Sequence, residues 1–576
     1  MTKERDESIG YIVGGSLRDG LRARLTVSAS ELQEGSFVVC DSDQWRFYGL
    51  VTNLELGATD PRFADEQMDR LHPALARLLY GRTLFTTMEV YSTLMLDRGP
   101  DDPGENLRWQ EQIEMGLVER PMPRPVKTVP AHHATVRLAD AGDVAEIFGK
   151  DEPGKFVIGH TLEQNHPVRI DLARFVKRSS GIFGATGTGK SFLARLMLAG
   201  IVKAGKEDPK MAAVLVFDMH NEYGFDDTDE NENPVLGLQS LFGQRVQIAA
   251  LGKKAQVRGK NPDFTLELGM RDLKTGDIML LAEALNLTET AADVLNALWR
   301  DHHECWFEKF VALEPGATIT TDDGKTVPAG NSPAGWAQRS GIHPGSAEAL
   351  HRRLRRIADK GYIVREPASD AVQAIVDKLE VGRHVVLSFG QYDNDLDYLL
   401  VTNILTRRIR DRWVKKTEGF RSGHIPAAPR PLVIVVEEAH KLLSPRLSNQ
   451  TAFGAIAREL RKYYVTLLVI DQRPSGIDDE VMSQLGTRIT GWLGDEDDIR
   501  AVLTGLSGRD KLRGMLARLR EKEEVLLLGW GVKMPIPVKS RRYDKGFWDQ
   551  MKGGRHIGRG LDDLDVEQVN EDLFGF

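Results

Sequence analysis

Eight residues, GATGTGKS at 184–191, combine the side chains and the backbone freedom needed to hold a triphosphate. Gly184, Gly187 and Gly189 let the chain curl tightly and turn its N–H groups inward, with Ala185, Thr186 and Thr188 completing the loop. Lys190 can reach the β- and γ-phosphates, and the Ser191 hydroxyl can ligate Mg²⁺. Alone, the GxxxxGK[ST] spacing also arises by chance as a glycine-rich turn. Here a strand-like piece (Gly181, Ile182, Phe183) enters it and an apolar helix-like segment, SFLARLMLAGIV, leaves it. The helix N-terminus adds partial positive charge at the loop. The chain is read as binding a nucleoside triphosphate, ATP, with Mg²⁺.

Binding is not hydrolysis, which needs further groups. In PLVIVVEEAH an apolar strand ends in two carboxylates. The first, Glu437, is placed to hold the Mg²⁺ shell; the second, Glu438, to polarise the attacking water. Adjacent strand residues point to opposite faces, but the chain turns at the strand exit, so both acids can serve one site. VLVFDMHNEYG sets Asp218, His220 and Glu222 after another apolar strand, where alternate residues share one rim. VTLLVIDQRPSGID brings Gln472 and Arg473 to a strand end next to the paired acids, where Gln472 or Asp471 could contact the γ-phosphate or the lytic water. Just upstream, AIARELRKYYV carries Arg458, Arg461 and Lys462, any of which could reach a neighbouring subunit's γ-phosphate or simply face solvent.

These groups need a scaffold, and 576 residues suffice for two to four units. Short strand-like stretches separated by Gly, Asp and Ser turns fill the region up to about residue 56, and more follow at 133–139 and 155–161. They are read as a β-barrel over 1–165 with an insertion at about 60–128. From 166 onward strands alternate with helices, the pattern of a parallel α/β sheet. Its parts are expected at 166–264 and 383–545, separated by a helical insertion at 265–382 and followed by an acidic tail at 546–576. Several core strands are near-continuous apolar runs, as strands covered on both faces require.

Composition excludes several classes. No apolar run approaches the ~20 residues of a membrane span, and the opening MTKERDESIG lacks the apolar centre of a signal peptide. Two cysteines, Cys40 and Cys305, leave no disulfide framework or Cys-rich zinc site, so a cytoplasmic location is expected. The net charge of −8 means that nucleic acid would have to meet a local basic surface such as a channel lining. The piece LSGRD (506–510) lies well after the acidic strand, which argues against a transporter ATPase.

Taken in order, the N-terminal barrel, GATGTGKS, the DxHxEYG run ending at Gly224, VVEEAH, RELRKY and QRPSGID resemble the HerA branch of the FtsK–HerA P-loop ATPases. The resemblance covers most of the chain. It implies a RecA-like core behind a HAS-barrel-like domain, and a homo-hexameric ring that translocates on double-stranded DNA, commonly with a NurA nuclease in end resection. The family also supplies the ATPase half of antiphage systems, so a nucleotide-gated scaffold for another effector nuclease is the alternative. Position by position, the resemblance makes Lys190 and Ser191 the nucleotide and Mg²⁺ contacts and Glu438 the catalytic carboxylate. Asp218 and Glu222 become further active-site acids, Gln472 the sensor and Arg461 the finger acting in trans. Two departures stand out: Glu437 where many relatives have Asp, and Met219 and Asn221 where Pro and Gly are more usual. Three basic runs are candidates for phosphate contact: GKKAQVRGK (Lys253, Lys254, Arg258, Lys260), HRRLRRIADK (Arg352, Arg353, Arg355, Arg356) and TRRIRDRWVKK.

Overall fold

The computed structural model describes residues 8–59, 84–100, 102–253, 255–323 and 325–553. Near the N-terminus, antiparallel strands β1 (Ser8–Ser16), β2 (Gly20–Leu25), β3 (Phe37–Ser42), β4 (Trp45–Ala58), β5 (Leu84–Asp97) and β6 (Thr135–Leu138) run in the order β2-β1-β6-β3-β4-β5. Pairing of β5 with β2 closes the barrel and removes the free edges. β3 is apolar on consecutive residues because both its faces are covered. Val38 and Cys40 fill the barrel, whereas Phe37 and Val39 join the core of the neighbouring α/β domain.

Two boundaries differ from the sequence reading. Part of the expected insertion, 84–97, is a long barrel strand that pairs with β4 along nearly its whole length; 60–83 lies outside the described residues. The stretch at 155–161, read with the barrel, forms β7 (Lys155–His160) of the large sheet. It pairs there with a strand near residue 540 and with β8 (Pro167–Asp171). The reason is topological: its partner edge is supplied by chain nearly four hundred residues later.

The large sheet adds β9 (Ser180–Phe183), β10 (Ala213–Asp218), β11 (Val246–Leu251), β12 (Phe264–Leu266), β13 (His384–Ser388), β14 (Leu432–Glu437), β15 (Val465–Asp471), β16 (Thr487–Thr490), β17 (Glu524–Gly529) and β18 (Ile536–Ser540). Its order is β12-β11-β13-β10-β14-β15-β9-β16-β17-β18-β7-β8. The strands from β12 to β16 are parallel, and the remaining edge is antiparallel. Val433, Ile434 and Val435 in β14 are almost fully buried, each contributing roughly 1.5–3 kcal/mol over an exposed state. The parallel arrangement sends the ends of β9, β10, β14 and β15 to one rim. That rim carries the phosphate loop and the acids.

Residues 265–382 are mainly helical, including α2 (Pro344–Ala358); α1 (Lys190–Glu207) follows the glycine loop, and α3 (Asp395–Arg421) leads toward β14. The insertion is clamped on α3 by buried Asp277, which accepts from Asn403 Nδ2 at 2.8 Å and Arg407 Nη2 at 2.9 Å. The last described element, helix Lys545–Lys552, packs Phe547 against Phe156; the remaining expected tail, 554–576, lies outside the described residues.

Candidate functional site

The glycine loop leaves β9 and enters α1 through backbone that other residues adopt poorly. Gly187 and Gly189 have φ of 80° and 85°, and a Cβ on Gly184 would stand 2.5 Å from Thr188 Oγ1. The loop is pinned from both sides. Ala185 N–H donates to the Trp492 carbonyl at 2.9 Å, and Thr188 Oγ1 donates to the Ala185 carbonyl at 2.8 Å. Lys190 Nζ donates to that same carbonyl at 2.8 Å. Burial pushes the Lys190 ammonium below its usual 10.5, against the opposing pull of Glu438, Asp471 and Glu222. Lysine and acids therefore share one electrostatic neighbourhood. Ser191 is half-buried in the first turn of α1.

β14 ends at Glu437, and Glu438 takes φ of 45°, a left-handed conformation rare for a non-glycine residue. That turn separates the two carboxylates. Glu438 Oε1 accepts from Gln472 Nε2 at 2.9 Å, and Gln472 Oε1 accepts from Thr186 Oγ1 at 2.6 Å. One hydrogen-bonded chain thus ties the acid to the phosphate loop across the intervening β15. A cleft of about 420 Å³ opens there, lined by Ala185, Thr186, Glu438, His440, Gln472 and Trp492 among others. Asp471, which the sequence left as an alternative to Gln472, is buried and engaged elsewhere. It accepts from the His440 backbone at 2.7 Å, the His440 ring at 3.0 Å and the Arg473 backbone at 2.6 Å.

Glu437 turns inward. Its Oε1 accepts from the Tyr223 hydroxyl at 2.8 Å, while Oε2 is buried with no hydrogen-bond partner. Burial, with Asp218 and Glu222 close by, drives its pKa well above the usual 4.5. Glu222 Oε2 is likewise buried and without a partner. Two orphaned carboxylate oxygens in one acidic neighbourhood fit a divalent cation, which takes oxygen ligands. With Ser191, these are the residues that would hold Mg²⁺.

Asp218 does not offer a free carboxylate. It accepts from the backbone N–H groups of Glu222, Tyr223 and Gly224 at 2.7, 3.0 and 3.2 Å. Burial nevertheless raises its pKa to about 6. The geometry makes it the organiser of the loop that carries Glu222, rather than a group facing substrate. Asn221 in that loop has φ of 58°, so it occupies the conformation that glycine would favour. His220 is exposed at the loop's outer side.

The arginines divide clearly. Arg458 folds inward and donates to the Ser448 carbonyl at 3.1 Å, whereas Arg461 is exposed at the start of β15. Gln472 follows the far end of that seven-residue strand, roughly 20 Å away at ~3.3 Å per residue. Arg461 therefore lies at the rim opposite its own cleft. Beside it stand Arg178 and Arg174, stacked on Trp530 at 4.0 and 4.1 Å. Burial, then Arg461 and Arg174, lower the Arg178 pKa below its usual value. Sequence reasoning missed Arg178, because only the fold brings it next to Arg461. It also left His440 as context and passed over Trp492, whose short strand-end run carries no local signature.

A glycine loop after β9, an acid-ended β14 two places away and β15 between them define a P-loop ATPase with a RecA-like core, preceded by a closed barrel. Residues 156–409 match the family described as "Helicase HerA, central domain". The chain is 24% identical over 547 residues to the DNA double-strand break repair helicase HerA of Sulfolobus acidocaldarius, covering 93% of this chain and 94% of that protein. The similarly named protein of Saccharolobus solfataricus is 22% identical over 581 residues, covering 97% of this chain and 99% of its own. Among solved structures, the bacterial conjugative coupling protein TrwB is 12% identical, covers 70% of this chain and 92% of that chain, and superposes with a TM-score of 0.42. The chain is thus similar to HerA-type ATPases, over its central part to the family model and over nearly its whole length to the archaeal proteins.

Proposed function

We propose that the chain hydrolyses ATP to translocate along double-stranded DNA as a homo-hexameric ring, acting with a NurA-type nuclease at broken ends. The observation that carries the chemistry is that Glu438 and Gln472 line one cleft with Ala185 and Thr186 of the phosphate loop, whose Lys190 feels the charge of Glu438. Incoming phosphates replace the Ala185 carbonyl as partner of Lys190, and the loop N–H groups neutralise them. Mg²⁺ at Ser191, Glu437 and Glu222 would supply further neutralisation of phosphate charge. Glu438 takes the proton of the attacking water, and Gln472 orients that carboxylate while reporting to Thr186 whether the γ-phosphate is present. Arg461 lies too far from its own cleft to act there, so it serves the next copy's γ-phosphate, with Arg178 beside it. DNA and double-strand break repair come from the full-length likeness to HerA repair helicases.

The test is ATP turnover with and without duplex DNA, alongside the solution mass with and without ATP. Stimulation by DNA and an ATP-supported ring are expected. Absence of DNA-stimulated turnover in the folded protein would falsify the motor, and a stable monomer under both conditions removes the role of Arg461.

A further inference from the structure

Of the three basic runs, the fold pairs most of one and two of the four cations of another, leaving Lys415 and Lys253 without an ion pair among the described residues. In the run on α3, Arg407 pairs with Asp277, Arg408 with Asp370, and both Arg412 and Lys416 with Glu380. After β11, Arg258 pairs with Asp227 and Lys260 approaches Asp226 at 3.8 Å, while Lys254 lies outside the described residues. α2 differs. Its Ala347, Leu350, Leu354 and Ile357 are buried against the insertion. It presents exposed Arg352 and Arg356 and half-buried Arg353, which have no ion pair or hydrogen bond among the described residues; only Arg355 approaches an acid, Asp359, at 3.8 Å. Like charges at i,i+4, as at 352 and 356, disfavour a helix. On a chain of net charge −8 with acids available elsewhere, an uncompensated stripe of this kind fits a polyanion.

The chain just past the stripe also reaches the ATPase rim through α3. Just past α2, Lys360 Nζ and the Tyr362 hydroxyl both donate to buried Asp397, at 2.9 and 2.5 Å. The next residue of α3, Tyr398, donates its hydroxyl to the Glu437 carbonyl at 2.9 Å. These hydrogen bonds join the segment after α2, through α3, to the carbonyl of Glu437, which precedes Glu438.

We propose that the Arg352–Arg353–Arg356 face of α2 grips the phosphate backbone of the DNA duplex. This rests on the DNA reading above and adds where contact is made. Each arginine would neutralise phosphate without reading sequence, and each engaged phosphate steepens the salt dependence of binding by about 0.9 in log–log slope.

The experiment measures binding of a mixed-sequence duplex to the full chain at graded salt, by fluorescence anisotropy. It compares wild type, the triple variant Arg352→Ala/Arg353→Ala/Arg356→Ala, and a charge-matched control, Arg408→Ala/Arg410→Ala/Arg412→Ala. For the stripe variant the slope falls by about 2–3 and affinity drops at least about tenfold; DNA-free turnover holds, and half-maximal DNA stimulation moves to higher DNA concentration. The control keeps the wild-type slope. A stripe variant with wild-type slope and affinity overturns the proposal and leaves the face to another partner, such as an acidic protein. Equal losses in stripe and control variants overturn it too, since bulk charge would then explain the effect. Failure of the wild type to bind duplex is a separate result: it sinks the DNA reading itself.

Discussion

The two rims of the large sheet are electrostatic opposites. At the rim where β10, β14 and β15 end, Glu222, Glu438 and Asp471 act on Lys190, and Asp218 and Glu437 are buried beside Glu222. At the other, Arg174, Arg178 and Arg461 gather near Trp530 without an ion pair among the described residues. Burial, reinforced by neighbouring like charges, perturbs ionisation at both rims: carboxyl pKa values rise at the first and a guanidinium pKa falls at the second. In the ring proposed above, a cation-bound triphosphate would complement the acidic rim and a phosphate held by a second copy the basic one.

The largest effects are expected at the acidic rim. Lys190→Ala and Glu438→Gln should each abolish measurable turnover, with Glu438→Gln losing roughly 10²–10⁴-fold while retaining nucleotide binding in a direct assay. Next comes the basic rim. Arg461→Ala should lower turnover by about 10³-fold or more at nearly unchanged nucleotide affinity. Mixing it with Lys190→Ala protein should recover some activity, because a mixed ring pairs an intact cleft with an intact finger. If mixing recovers nothing, the complementarity of the rims loses its support. Arg458→Ala should leave turnover largely intact and destabilise the fold by about 1–3 kcal/mol, since its inward hydrogen bond would be lost.

A smaller effect separates the structural acids from the chemical ones. The hydrogen bond to Asp471, working against partial burial, raises the His440 pKa above 6.5. Because the folded value lies above the unfolded one, this stabilisation is complete below pH 6.5 and fades as pH rises through the raised value. Melting temperature followed from acid to mildly alkaline pH should show that decline in the wild type and a flatter profile in His440→Asn. A parallel decline in both would assign the pH dependence to other groups. The smallest change is expected from Trp530→Ala, which removes two cation–π contacts worth about 0.5–2 kcal/mol each and should lower turnover less than Arg461→Ala does.

How much of this was legible from residues varies with locality. The runs SGIF, AVLVFD, LVIVVE and VTLLVID announced core strands because burial on both faces demands apolar residues at every position. β16 escaped notice: TRIT looks half polar, yet Arg488 is buried and its guanidinium donates to the carbonyls of Met482, Val502 and Thr504. β5 reads as part of an insertion because its partner β4 is separated from it by a long stretch of sequence. Asp218 looked like an active-site acid from its strand-end position. Its three backbone donors depend on a loop path that spacing alone does not specify.

The phosphate loop, the paired acids and the apolar strands that carry them were written into short contiguous segments, where steric freedom, charge and burial act between near neighbours. Which arginine faces out, which acid keeps its oxygens unpartnered, and which basic run escapes neutralisation were set by the packed fold. Those properties depend on what stands opposite each side chain, and the opposing groups come from chain tens to hundreds of residues away.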